Sequence, residues 1–426
     1  MTVSKDPAGD FSTNPPVPEM VHLLAYQVKE RWWSFETSLP PLGPVYSASE
    51  KRQREAHLSA CLNELSLELK QHPPSVAQPS SEQQASLERL TALATRLARD
   101  AFNLDERHVS ALRSYGFEEV TQEFIRQARR FDPGLSQADI FQACRNAWSM
   151  NFFQLLFGLP LEVTPALLAY SLLYPYSDNY LDDPQVPLPA KISFGLRFRQ
   201  KLEGKPIQPV VSLEQKIFDL VSMIESQFGR SRFPQVYDSL LAIYEAQANS
   251  LQMQRPGASP YEVDVLGLGI EKGGTSVLAD GYLVAGSLTA EQMEFMFSYG
   301  AFTQLLDDLE DVGQDLRSGI QTVFSQTASH WPLDAITNRT IRFGQHFLEL
   351  LDGFTQPRLE PLIEAMRMSL APLMIDAASQ AGHFYTRPYL AQIEPHYPFR
   401  FSYIRQTRKT LQRRKLTFES LIGLVA

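Results

Sequence analysis

Cysteine is nearly absent. Cys61 and Cys144 are the two thiols in 426 residues. They are too few for a disulfide scaffold or a CxxC zinc site, and they fit a reducing compartment. Basic charge is also short: 39 Lys and Arg face 48 Asp and Glu, a formal net charge of −9. That balance excludes a chain whose main task is to hold nucleic-acid phosphates. The opening MTVSKDPAGDFSTNPP is polar and proline-rich. It lacks a basic-then-apolar leader, so no secretory signal is expected and a cytoplasmic location is. No HExxH, GxSxG or P-loop pattern occurs, and the glycines of Glu271-Lys272-Gly273-Gly274 do not precede the lysine as a Walker loop requires. The longest apolar stretch, Phe152 to Tyr176, contains Glu162 and is interrupted by Pro160, Pro165 and Pro175. It reads as two buried helical pieces joined by a proline-bounded turn, not as a membrane span.

What is present is helical periodicity. Hydrophobic residues make up 44% and charged ones 20%, enough to bury a sizeable core. No run alternates with period two well enough to make a strand. The expected fold class is all-α, with about 12–15 helices. Residues 1–45 carry seven prolines and are expected to be mostly irregular, with one short helix over 22–35. Leu58, Cys61, Leu62, Leu65 and Leu69 predict a helix over 48–71. A linker, HPPSVAQPSSEQQ, follows. A further helix is expected from Ser81 to Asn103. The predicted division is an N-terminal extension, 1–84, and one α-helical domain, 85–426.

Two acidic clusters stand out. In the first, Ser177-Asp178-Asn179-Tyr180-Leu181-Asp182-Asp183-Pro184 ends the long apolar stretch. Asp178 and Asp182 are four apart and share a helix face. In the second, Asp307, Asp311 and Asp315 are spaced i, i+4, i+8 behind the apolar segment Met293–Leu306. Carboxylates stacked in one column repel, and burying them uncompensated costs more. Hard divalent cations supply compensation; Mg²⁺ is usually held by one or two carboxylates plus a ligand's phosphates. A single acidic turn is most often a solvated face. Two such turns, each closing an apolar helix, point instead to facing helices whose carboxylates meet at the mouth of a cavity.

These residues resemble the two aspartate-rich motifs of the class I isoprenoid synthase superfamily, which holds trans-prenyltransferases, squalene/phytoene synthases and class I terpene synthases. Asp178-Asn-Tyr-Leu-Asp182 resembles the first DDxxD motif, with Asn179 in its second place. Gln304-Leu-Leu-Asp307-Asp308-Leu-Glu-Asp311 resembles FQxxDDxxD. Between them, Lys272-Gly-Gly-Thr-Ser, continuing to Gly281 and Gly286, resembles the prenyltransferase lysine motif, and Gln247 falls where the family places a GQxxD-like helix. Asp311-Val-Gly-Gln-Asp315-Leu-Arg317 is similar to the DVGEDxxxG pattern of squalene/phytoene synthases. Arg387 and Tyr389 fall where bacterial terpene synthases carry a diphosphate-gripping Arg-Tyr pair. The likeness covers about residues 140–325.

The resemblance implies a helical bundle around a central apolar cavity and an enzyme that ionises an allylic prenyl diphosphate of C15–C25. The cation is then cyclised or quenched and diphosphate is released. It implies Mg²⁺ as cofactor, three ions, with Mn²⁺ as substitute. Asp178, Asp182, Asp183, Asp307, Asp311 and Asp315 become the implied metal ligands, with Asp308 in the catalytic set. Lys272, Gln247, Gln304, Arg317, Arg387 and Tyr389 become the implied diphosphate contacts. A basic GKRxRP-type motif and an Arg pair after the first acidic motif are missing, so a single-substrate terpene synthase is favoured over a prenyltransferase joining two diphosphates. DxDD is missing too, which excludes a class II cyclase. Electrostatic preorganisation would meet the charge on the departing diphosphate. Aromatic side chains would line the cation's cavity, with Phe153 and Phe302 favoured over Trp148, Phe152, Tyr174, Tyr180 and Phe295. The C-terminal basic run from Arg400 to Lys415 is a solvated helix face by default and a candidate for peripheral membrane contact. A homodimer is common in the superfamily.

Overall fold

Helix ends are set by local chemistry. Ser136 and Asp139 form a reciprocal capping box that opens Gln137–Leu156, and Thr289 with Gln292 opens Ala290–Glu310 in the same way. The Asp264 side chain accepts from the Gly267 amide and starts Val265–Ala285. Gly286, at φ +76°, ends that helix in a left-handed turn and leads directly into the next one.

The computed structural model describes residues 16–71, 92, 96, 104–182, 185–254, 259, 261–354 and 356–413. Every regular element among them is helical. The α-helices are α1 Val17–Ser34, α2 Ala48–Gln71, α3 Glu106–Ser114, α4 Phe117–Phe131, α5 Gln137–Leu156, α6 Pro165–Asp182, α7 Leu188–Leu202, α8 Ser212–Gln227 and α9 Pro234–Ser250. They continue as α10 Val265–Ala285, α11 Ala290–Glu310, α12 Val312–Ser318, α13 Val323–Ala328, α14 Asp334–Glu349, α15 Glu360–Gln380, α16 Arg387–Ile393 and α17 Phe401–Arg413.

The antiparallel pair α10 and α11 forms the centre. Both are apolar almost all round, as a helix enclosed by others must be. They approach closely because glycines meet: a Cβ on Gly273 would stand 2.3 Å from the Gly300 carbonyl oxygen, and one on Gly300 would stand 2.1 Å from that of Gly273. Helices α1, α5, α6, α9, α14 and α15 pack around this pair.

Several expectations meet the structure here. The helix over 48–71 matches α2, and the proline-bounded turn separates α5 from α6. Pro175 does not end α6, which continues to Asp182; proline removes one backbone donor without always breaking a helix that is packed on its neighbours. The short helix expected over 22–35 is α1, longer and fully integrated. Its stripe of Val17, Val21, Leu24, Val28 and Trp32 is buried in the main core. The Trp32 indole donates to Thr340 Oγ1 at 3.1 Å, and Lys29 pairs with Asp264. The chain therefore begins to contribute to the core well before residue 85. Of the helix expected over 81–103, residues 92 and 96 alone are described, both helical. Helices outnumber the expectation because the chain after residue 310 breaks into short pieces at Asp311 and at the left-handed Gly319. No described helix is long and apolar enough to cross a membrane.

Candidate functional site

Four helices bring chemistry to one end of the bundle, and their registers can be read from contacts. Asn146 of α5 donates to Ser171 Oγ of α6 at 3.3 Å and to Asp280 Oδ1 of α10 at 3.2 Å. One turn further along α6, the Tyr174 hydroxyl and Ser276 Oγ share a hydrogen bond of 2.9 Å. Moving forward on α6 thus moves backward on α10. The same register, carried one more turn, puts residue 178 level with Lys272. Helix α9 runs against α10 in like manner: Phe233 packs at Gly286, and Asp238 lies near Tyr282. Continued, that register puts Gln247 level with Lys272. On the fourth helix, Gln304 and Asp308 of α11 lie beside Gly269.

The second acidic motif is split between two environments. Asp307 and Asp311 are exposed, whereas Asp308 and Asp315 are buried. The cause is the break at Asp311, where α11 ends and α12 begins. The straight column of three carboxylates expected from the spacing is therefore bent, and Asp315 turns inward. Gln304 Nε2 donates to Asp308 Oδ1 at 2.8 Å. Burial pushes the Asp308 carboxyl up to about 7, against the pull of Gln304 and Lys272. Burial, with Asp311 adding to it, pushes Asp315 up to about 6.

Asp307 tells most about the shape. It is open to solvent, yet loss of surrounding water raises its carboxyl, with Arg145 and Lys272 pulling it down and Asp311 pushing it up. It stands at the surface with chain packed closely around its carboxyl. Lys272 is half-buried, and its charge acts on Asp307, Asp308 and Asp315. Deeper between the helices lies a polar layer of Asn146, Ser171, Tyr170, Tyr174, Ser276 and Asp280. Next to it the rings of Phe153 and Tyr299 meet edge to face at 5.8 Å, and Phe295 stacks on Tyr299.

Asp280 is 2% exposed, and burial raises its carboxyl well above the ordinary range, more than the Asn146 hydrogen bond lowers it. The folded chain therefore keeps a proton that the unfolded chain releases near pH 4. Stability contributed at this position falls as pH rises above that value. Asp280→Asn preserves the acceptor for Asn146 and removes the titration. The variant is expected to be more stable than the parent at pH 8, with a smaller difference at pH 5, in urea unfolding. A less stable variant at pH 8 contradicts this.

The other residues singled out from sequence are placed as follows. Phe153 and Phe302 are buried; Phe302 packs on Phe347 at 4.9 Å. Both belong to a tight ring cluster rather than to an open wall, and the half-buried Tyr299 is the more accessible member. Trp148 donates to Thr121 on α4. Tyr389 is buried, and its hydroxyl donates to Asn338 of α14 at 2.8 Å, while Arg387 is exposed at the start of α16. Tyr389 thus fastens α16 to α14. Arg317 is exposed on α12. Asp183 lies outside the described residues, as do the side chains of Asp178 and Asp182, whose backbone closes α6. In the C-terminal basic run, Arg400 pairs with Glu55 and Arg408 with Asp376, so two of its charges fasten α17 to the body.

Three contributors escaped the sequence reading: Arg145, Asn146 and Asp280. Each is a polar residue in a mostly apolar helix, which is the signal that could have found them. Among the described residues no three His, Cys, Asp or Glu side chains converge closely enough to hold a metal by themselves. Asp307 and Asp311 still suit a hard cation in donor chemistry, since Mg²⁺ commonly takes one or two carboxylates and completes its shell with water and phosphate. A separate half-open pocket of about 480 Å³ sits at the other end of α5, lined by Tyr115, Leu155, Leu159, Leu161 and Arg358. It holds no carboxylate. Compared with family models, curated proteins and solved structures, the chain matches none of them.

Proposed function

We propose that the protein is a Mg²⁺-dependent class I terpene synthase that ionises one allylic prenyl diphosphate. The observation that carries this reading is the convergence at one bundle end of Lys272, the carboxylates of α11 and the closing turn of α6. The Lys272 charge acts on Asp307, Asp308 and Asp315, and Lys272 forms none of the ion pairs found among the described residues. Such an arrangement suits a group that offers negative charge to Lys272 and shares divalent ions with the acids.

Asp307 and Asp311 would hold metal from one wall, and Asp178 and Asp182 from the other. Bound Mg²⁺ would supply Lewis-acid charge against the leaving diphosphate. Lys272 binds phosphate oxygens and meets the charge that grows as the carbon–oxygen bond breaks. Gln304 orients Asp308, which in turn holds the inner end of the motif in place. The ring cluster about Tyr299 would exclude water, with the half-buried Tyr299 its member nearest to a cation. A prenyl diphosphate is the proposed partner; Arg405 and Lys409 remain as basic groups on α17 for contact with an anionic lipid surface.

Incubation with C10, C15, C20 and C25 prenyl diphosphates, with Mg²⁺ or with EDTA, tests the reading by mass spectrometry. The expected result is a hydrocarbon or alcohol from a single diphosphate, lost in EDTA. Product that forms only when isopentenyl diphosphate is added, and is longer by its units, replaces this reading with a prenyltransferase.

A further inference from the structure

Three segments close the half-open pocket at the far end of α5. Ser114 and Tyr115 come from the end of α3. Leu155, Leu159 and Leu161 come from the last turn of α5 and the loop after it, and Arg358 from the single turn Pro357–Leu359. Buried polar groups hold these walls. Gln154, 2% exposed, donates to the Glu162 carbonyl oxygen at 3.0 Å and accepts from the Glu162 amide at 3.2 Å. The Leu159 amide donates to the Gln154 carbonyl oxygen at 2.8 Å. One buried residue thus fixes the loop that carries Leu159 and Leu161. The Tyr115 hydroxyl donates to the Arg358 carbonyl oxygen and joins the other two segments. Arg358 Nε donates to Gln356 Oε1 at 3.2 Å, and Gln356 Nε2 lies 3.0 Å from where a Cβ on Gly158 would stand. The three segments are therefore tied to one another by contacts of their own.

We propose that this pocket is a binding site for a small apolar carboxylate, whose chain packs on the three leucines and whose acid pairs with Arg358 at the rim. A volume of about 480 Å³ lies within the range of small-molecule sites, which combine apolar walls with a few placed polar groups. The Arg358 guanidinium is exposed and forms none of the ion pairs found among the described residues. Its charge reaches the Tyr115 hydroxyl. No acidic side chain lines the pocket. One guanidinium balances one charge and offers paired N–H donors to two oxygens, which matches a carboxylate. A phosphate dianion would keep half its charge unpaired, and an uncharged apolar molecule would leave the guanidinium unused. The site stands at the opposite end of α5 from the proposed diphosphate chemistry and does not depend on it.

The test is isothermal titration of the full chain with dodecanoate, farnesoate and the uncharged dodecanol, each below its micelle concentration. Parent, Arg358→Gln and Leu159→Trp are compared. The parent is expected to bind one or both acids about tenfold or more tightly than dodecanol, the scale of a hydrogen bond to a charged group. The acid bound more tightly shows whether the chain is straight or branched. Arg358→Gln is expected to lose the preference for acids and to keep its affinity for dodecanol. Its fold is expected to hold, because the Arg358 carbonyl, not the side chain, serves Tyr115. Leu159→Trp, which fills the pocket, is expected to lose all three ligands; if it unfolds, Arg358→Gln decides alone. A parent with no preference for acids over dodecanol, or with no binding at all, overturns the proposal. So does a preference that survives Arg358→Gln, or binding that survives a folded Leu159→Trp.

Discussion

Under the function proposed above, Asp307→Ala is expected to lower diphosphate release from a prenyl diphosphate by at least about 10²-fold, the scale of losing one preorganised electrostatic group, while the fold stays intact. The two halves of that expectation have separate grounds. Asp307 is exposed on α11, and its carboxyl is already disfavoured by lost hydration and by Asp311. Removing it relieves repulsion and leaves no buried partner without a bond. Its carboxyl feels the charges of Arg145 and Lys272, which is what the proposed chemistry needs. Release of inorganic diphosphate, followed enzymatically, reads the rate, and thermal unfolding reads the fold. A variant that turns over at the parent's rate removes Asp307 from the site. A variant that unfolds markedly earlier assigns it to structure instead.

Gly300→Ala has the largest expected effect on stability. Its new Cβ would fall 2.1 Å from the Gly273 carbonyl oxygen and 3.0 Å from Val277 Cβ. The obstruction is backbone, which cannot swing aside as a side chain can. Helices α10 and α11 must separate, at the upper end of the cost of overpacking, about 3 kcal/mol or more. Separation also shifts Lys272 against Asp307 and Asp308, so the proposed activity is expected to fall with stability. Denaturant unfolding checks the first effect and diphosphate release the second. Gly319→Ala is a useful control for crowding, since nothing lies within 4 Å of its would-be Cβ; its positive φ of +73° adds a backbone strain that the comparison must allow for.

Much of the architecture is legible from residue order alone. The stripe Leu58, Cys61, Leu62 and Leu65 marks α2, and the prolines at 160 and 165 mark the turn between α5 and α6. Helix α1 is harder to read. Its flanking prolines suggest irregular chain, whereas the contacts that hold it to the body reach Thr340 and Asp264, hundreds of positions away. The acidic motif at 307–315 shows the same limit. Spacing gives the i, i+4, i+8 column, but the break at Asp311 depends on tertiary packing and turns Asp315 inward. Arg387 and Tyr389 show how tertiary contacts add to a reading made by position. Their place in the chain suggests a diphosphate grip, while the Tyr389 hydroxyl is engaged by Asn338. Asn146 and Asp280 become visible as a pair only in three dimensions, because 134 positions separate them.

The central claim is that carboxylates from two helices and the Lys272 amine face one space. Its most direct test is a crystal structure with Mn²⁺ and inorganic pyrophosphate, using the anomalous signal of manganese to locate the ions. The account predicts peaks within coordination distance of Asp307 or Asp311 and of Asp178 or Asp182, with pyrophosphate between them and the Lys272 amine. Manganese bound elsewhere, with the ends of α6 and α11 turned into separate solvent, would contradict it.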